Sequence, residues 1–269
     1  MKYIPLAAAI VAMSSTSTVL ANSIQDTHLF RIGAFEQDID VTASVTREPF
    51  EEVEINFDRV LGMEESARTY FAGYHWRFGE KWNLGVFYSN MSADGSRIAT
   101  TDFTWDGEEY MAGARVDTKF ELDTYLVTAN YSFVRNEKFE WGVGVGLHAF
   151  DIETTLDVAV KVDEFFEDAR RNNSTVLAPL PNLRTYGTWA ITPKWEVSGD
   201  LGWLSITYDD YDGDYLFFQV MTEYRITERF GIGLSYQFSE IDVSVERRRG
   251  EDKFDIDLYG PSLYLTYGF

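Results

Sequence analysis

The sequence predicts an all-β protein: a closed antiparallel up-and-down transmembrane β-barrel of about ten strands, with eight or twelve as the neighbouring counts. Three observations carry this expectation. Apolar and polar residues alternate in segments of about ten residues or more, the length that a tilted membrane-crossing strand requires. The connections between those segments are short at one end and long and charged at the other, as in barrels with periplasmic turns and extracellular loops. The last segment alternates to the final residue, Phe269.

Along the chain, residues 1–21 read as a secretory signal peptide. Lys2 supplies the positive start, Ile4 to Met13 the apolar stretch, and Val19-Leu20-Ala21 a cleavage site before Asn22. The barrel domain is then expected over 22–269, with strands at 28–46, 66–78, 82–96, 116–134, 139–157, 177–192, 195–208, 215–227, 230–246 and 254–269. The clearest strand puts Phe139, Trp141, Val143, Val145 and Leu147 on one face and Glu140, Gly142, Gly144, Gly146 and His148 on the other. Tight turns are expected at Gly79-Glu80-Lys81, Asn136-Glu137-Lys138, Pro193-Lys194 and Glu228-Arg229. Aromatic residues flank all four, Trp76, Phe78 and Trp82 at the first and Trp189 and Trp195 at the third among them, which predicts a girdle at the periplasmic interface. Longer charged loops are expected at 47–65, 97–115 and 158–176, and one or two helical turns at 163–171, where Phe165, Phe166 and Ala169 share a helical face. In the terminal strand Tyr259, Pro261, Leu263, Leu265, Tyr267 and Phe269 face outward.

Composition narrows the function classes. With 44 Asp+Glu against 23 Lys+Arg, the formal net charge is −21, which repels nucleic acid. There is no cysteine, so neither disulfides nor thiolate metal sites contribute. After residue 21 no apolar run reaches the ~20 residues of a spanning helix.

Four stretches, 74–79 (Tyr-His-Trp-Arg-Phe-Gly), 146–148 (Gly-Leu-His), 208–213 (Tyr-Asp-Asp-Tyr-Asp-Gly) and 264–269 (Tyr-Leu-Thr-Tyr-Gly-Phe), resemble hairpins and strand ends of proteobacterial outer-membrane β-barrel proteins, of the OmpA/OmpW-type small barrels. The resemblance implies an outer-membrane location, contact with outer-membrane lipid and lipopolysaccharide, and a monomer. It also implies that Leu265, Tyr267 and Phe269 form the signal read by the barrel-assembly machinery. No peptidoglycan-binding module is expected after the barrel, and the resemblance implies no particular activity.

If the girdle face meets lipid, Arg77, Glu140, Arg184, Glu196, Asp200, Glu223 and Arg225 face the lumen, because a charge facing hydrocarbon costs roughly 2–4 kcal/mol at the midplane. A ten-strand lumen is expected to be largely filled by such side chains. Asp209, Asp210, Asp212 and Asp214 offer oxygen ligands for a loop-bound Ca²⁺ or Mg²⁺, although Asp-Gly is also ordinary hairpin chemistry; no other cofactor is expected. Catalysis is not expected. Phe87 stands where a deacylase-like strand would need a His to activate Ser89, and His148 is a lone lumen histidine. Three functions follow: a non-enzymatic barrel with a filled lumen and a structural or surface-binding role, a narrow channel for small solutes or ions, or an outer-rim enzyme acting on lipid A or peptides.

Overall fold

The computed structural model describes residues 22–47, 53–58, 62–100, 102–105, 108–162, 165–208, 211–247 and 250–269. They form β1 (His28–Arg47), β2 (Val53–Asn56), β3 (Ser66–Arg77), β4 (Trp82–Ile98), β5 (Phe103–Trp105), β6 (Glu108–Tyr110), β7 (Arg115–Arg135), β8 (Phe139–Val162), β9 (Phe165–Thr192), β10 (Trp195–Tyr208), β11 (Tyr211–Arg225), β12 (Phe230–Arg247) and β13 (Gly250–Gly268). Ten of these, β1, β3, β4 and β7 to β13, each pair antiparallel with their neighbours in chain order, and β13 pairs back to β1, from Leu29↔Gly268 to Arg47↔Gly250. The ring is closed, so the fold is an up-and-down barrel. Short β2 continues the wall beside the upper part of β1, above the point where β3 begins, and β5 and β6 form a small separate hairpin.

The short turns follow from local chemistry. Asn136 Oδ1 accepts the N–H groups of Lys138 and Phe139, Thr192 Oγ1 those of Lys194 and Trp195, and Thr227 Oγ1 those of Arg229 and Phe230. Side-chain oxygens thus close three of the four reversals. Trp76, Phe78, Trp82, Phe133, Phe139, Trp141, Trp189, Trp195, Tyr224 and Phe230 all stand exposed around this end, forming the expected girdle. A second ring of exposed aromatics, Tyr70, Tyr88, Tyr125, Trp203, Phe218, Tyr236 and Tyr259, lies higher on the wall. From Phe269 to Tyr259 the strand rises about 33 Å along its own axis. At the usual tilt of about 40° this is an apolar band roughly 25 Å tall, the height of a hydrocarbon layer.

Above that second ring the two faces of the wall exchange character. Inside the barrel, Ile39, Val41, Met91, Phe120, Leu122, Phe150, Ile152, Ile241, Ile256 and Leu258 are buried in one cluster, joined by Phe57 and Met63 from the segment between β2 and β3. Outside, the matching positions carry Asp40, Glu121, Asp151, Glu240, Asp255 and Asp257. The membrane band is apolar outward and polar inward; the upper part is built like a water-soluble barrel.

Two expectations are corrected here. Residues 158–176 are not a free loop, because β8 and β9 continue as a hairpin through this region, pairing from Phe139↔Trp189 to Val162↔Phe165. Nor are helical turns found: residues 163 and 164 lie outside the described residues, and Phe165 onward is strand. An extended ladder with β8 satisfies the backbone groups of this segment, which an isolated helical turn would leave to water. The wall is also uneven between β9 and β10. Their pairing ends at Trp203↔Leu183, although both strands continue upward. Pro179 and Pro181, two residues apart, remove two N–H donors from the same edge of β9, and β9 pairs with β8 on its other edge.

Candidate functional site

The polar residues of the lumen gather in two layers. The lower layer forms a floor at the short-turn end. Arg77 on β3 reaches across to β8 and donates from both terminal nitrogens to Glu140, at 2.9 and 2.8 Å. Bidentate pairing of this kind fixes both side chains. Ser132 Oγ donates to the same carboxylate, Tyr186 OH lies 2.8 Å from Ser132 Oγ, Asn83 Nδ2 donates to Tyr186 OH at 2.9 Å, and Asn130 Nδ2 donates to Asn83 Oδ1 at 2.8 Å. Beside it, Arg225 pairs with Glu223, Nε to Oε1 at 2.7 Å, and with Asp26, while Thr266 Oγ1 donates to Glu223 Oε1. Glu196 meets no arginine in an ion pair among the described residues; it accepts the Ser23 N–H at 2.8 Å. These contacts pin residues 22–27 across the barrel mouth, where Asn22, Ile24 and Asp26 are buried. Arg135 adds a bond to the Ile24 carbonyl at 2.7 Å.

Glycines on the inward face make room for this packing. A Cβ at Gly233 would fall 2.2 Å from the Tyr264 ring, and one at Gly142 would fall 2.6 Å from Tyr186 OH.

Above the floor and below the apolar ceiling lies a chamber of about 260 Å³. Arg184 and Asp200, on β9 and β10, pair with one another on its wall. His148 is held at both ring nitrogens, Nδ1 by Asn182 at 2.7 Å and Nε2 by Tyr215 OH at 3.1 Å. That chain of bonds ties β8 and β9 to β11, where Leu180 also packs close to Gly213, across the stretch in which β9 and β10 no longer pair. Arg31 stacks over the Tyr264 ring, 4.9 Å from its centroid, and bonds Met221 Sδ at 3.4 Å.

The sequence-predicted lumen residues are thus divided. Arg77 and Glu140 meet each other, Arg184 meets Asp200, and Arg225 meets Glu223, with Glu196 bonded instead to the backbone of residue 23. Sequence reasoning missed Asp26 and Arg31. Arg31 was accessible to it: Phe30 and Ile32 are outward, so residue 31 must be inward. Asp26 precedes the first strand and no periodicity places it. Of the acidic hairpin, Asp209 and Asp210 lie outside the described residues; Asp212 accepts a bond from Thr207 Oγ1, and Asp214 points outward opposite Asp242. Among the described residues no group of three or more His, Asp or Glu is arranged to hold a metal ion. Leu265 and Phe269 stand exposed and Tyr267 half-buried, the last packed at a tilt against Phe230 and Phe269, while the Phe269 carbonyl accepts the N–H groups of Thr27 and His28. Ser89 faces the lumen, and no described hydrogen bond joins it to His148.

No protein-family profile and no curated protein matches the sequence. Among solved structures, the outer membrane protease OmpT from Escherichia coli superimposes with a TM-score of 0.61 at 10% identity, over 94% of this chain and 100% of that one. The translocator domain of the autotransporter NalP from Neisseria meningitidis gives 0.45 at 12% identity over 91% and 90% of the two chains. The outer membrane protein OprG from Pseudomonas aeruginosa gives 0.37 at 11% over 91% and 98%. At such identities the likeness to OmpT establishes the barrel fold. Together with a lipid-height apolar band and a polar interior, that fold makes this chain an outer-membrane β-barrel protein.

Proposed function

We propose that this outer-membrane barrel is a non-conducting, non-enzymatic protein that holds a folded acidic cap above the membrane, with a structural or surface-binding role. One observation carries the reading: the lumen is obstructed twice, by the charge-paired floor and by the apolar cluster of the upper barrel. An ion crossing it would have to displace the Arg77–Glu140 and Arg225–Glu223 pairs and then traverse a hydrocarbon-like core, and each step is opposed by a desolvation penalty of several kcal/mol. The engagement of both His148 nitrogens by Asn182 and Tyr215 supports a positioning role for that ring over a base. The outer partners of the reading are the lipid around the band and, at the acidic rim, lipopolysaccharide bridged through divalent cations. Planar-bilayer recording of the purified protein tests it. The expected trace is flat, and reproducible unitary steps that vanish on substitution of Arg184 or Glu223 would establish the narrow channel in its place.

A further inference from the structure

We propose that the chamber between floor and ceiling is a binding site for a small amphipathic carboxylate, an anionic head on an aromatic or aliphatic body. The charge of its lining is the first ground. Arg77 is matched by Glu140 and Arg184 by Asp200, whereas Arg31 has no carboxylate at ion-pair distance among the described residues. Among the described residues lining the chamber, Arg31 is thus the guanidinium left for an added anion, and a buried cation is stabilised by a carboxylate brought to it.

The second ground is the set of buried polar atoms without a partner. Arg31 Nε and Arg184 Nε are unbonded donors, and both residues line the chamber. Guanidinium groups present flat arrays of N–H donors that fit a carboxylate. Asp200 Oδ1, also unbonded, adds one acceptor, suited to a hydroxyl elsewhere on the ligand.

One side of the lining is aromatic, with Phe35, Phe71 and Phe87 in a row of tilted rings, centroids 4.5 and 5.6 Å apart, and with Met221 and Phe217 nearby; neutral polar groups such as Gln37, Thr69, Asn130 and Gln219 line the rest. An apolar wall beside convergent polar groups suits a ligand with a charged head and an apolar body. Above Leu183 and Trp203 no backbone pairing joins β9 to β10, so the wall beside the chamber is weakest there.

The test uses the full chain, folded in detergent micelles and titrated calorimetrically with benzoate, benzyl alcohol and benzylammonium. Benzoate is expected to bind at one site, benzyl alcohol at least tenfold more weakly, and benzylammonium not at all. Arg31→Gln, checked for the folded-barrel mobility shift in cold detergent gels, is expected to weaken benzoate at least tenfold, and Arg31→Lys, which keeps the charge without the planar donor array, to weaken it less than Arg31→Gln does. No benzoate uptake at millimolar concentration, equal uptake of benzylammonium, or unchanged benzoate affinity in folded Arg31→Gln would each overturn the proposal. If Arg31→Gln does not fold, charge selectivity on the unaltered chain decides. Conductance plays no part in this test, so its outcome is separate from that of the bilayer recording.

Discussion

Along β13 the outward residues run Tyr267, Leu265, Leu263, Pro261 and Tyr259, and then change to Asp257, Asp255, Lys253 and Glu251. Its inward residues do the reverse, from Thr266, Tyr264 and Ser262 to Leu258 and Ile256. In β12 and β13 the lower and upper parts share one continuous ladder of backbone pairing, yet each part turns its apolar face the opposite way. The backbone is indifferent to which face is apolar, because the ladder satisfies its N–H and C=O groups in either solvent. What changes is the medium outside the wall. In hydrocarbon no gain comes from hiding apolar side chains, so the interior can be polar provided its charges are paired. In water the hydrophobic effect returns and fills the interior with Phe120, Leu122, Ile152 and Ile256.

This contrast can be broken most severely at the floor. Arg225→Ala leaves Asp26 and Glu223 buried without their cation. A destabilisation of about 3–5 kcal/mol is expected in urea titrations of the barrel in lipid vesicles, and replacing Arg225 and Glu223 by Met together with Asp26 by Asn should recover most of it. A change below about 1 kcal/mol for Arg225→Ala would mean that the floor is hydrated and the lower lumen is not closed.

A sharper comparison places the same side chain on the same face in both regions. Val145→Arg, outward in the lipid band, is expected to cost about 2–4 kcal/mol by the same titration. Asp255→Arg, outward in the upper part, is expected to lie within about 0.5 kcal/mol of the parent protein or to stabilise it. Its neighbours in register are Asp242 and Thr42, so a cation there relieves a repulsion. Equal costs at the two sites would put the membrane boundary in the wrong place.

The smallest effect is on pH. Asp242, above the membrane, has its carboxyl pushed up to about 6, first by partial burial and then by the nearby carboxylates of Asp255, Glu240 and Asp214. Asp257 is raised for similar reasons, burial and then Glu240, Asp40 and Asp255. Carboxylates raised in the folded state favour folding while protonated, and that contribution is lost as pH climbs from the ordinary aspartate range to about 6. The outer hairpins are therefore expected to resist proteolysis better at pH 5 than at pH 7, modestly because both groups are largely exposed. Asp242→Asn should flatten the difference; a cap more resistant at pH 7 would contradict the assignment.

Strand number, turn positions and the lower girdle were legible because each depends on a local signal: period-2 alternation, Asn or Thr closing a reversal, aromatics beside it. The exchange of faces was also written in the chain. In β8 the apolar positions are Val143, Val145 and Leu147, and then Phe150 and Ile152, a one-residue slip of phase at His148-Ala149. Reading a single phase along each segment hides it. The extension of β8 and β9 was less accessible, since residues 158–176 mix charge and hydrophobicity without a clean period.

The sequence by itself determined a closed barrel of about ten strands with apolar and polar walls, because alternation, turn chemistry and strand length act between residues close in the chain; the count of ten came from the structure. Only the tertiary structure decided which charges meet. Arg77 and Glu140 lie on strands that are not neighbours, Asp26 reaches Arg225 from outside any strand, and Arg31 is left without a carboxylate because of what the lumen places around it. Those outcomes depend on the curvature and stagger with which the sheet closes, a property of all ten strands together that no single segment encodes.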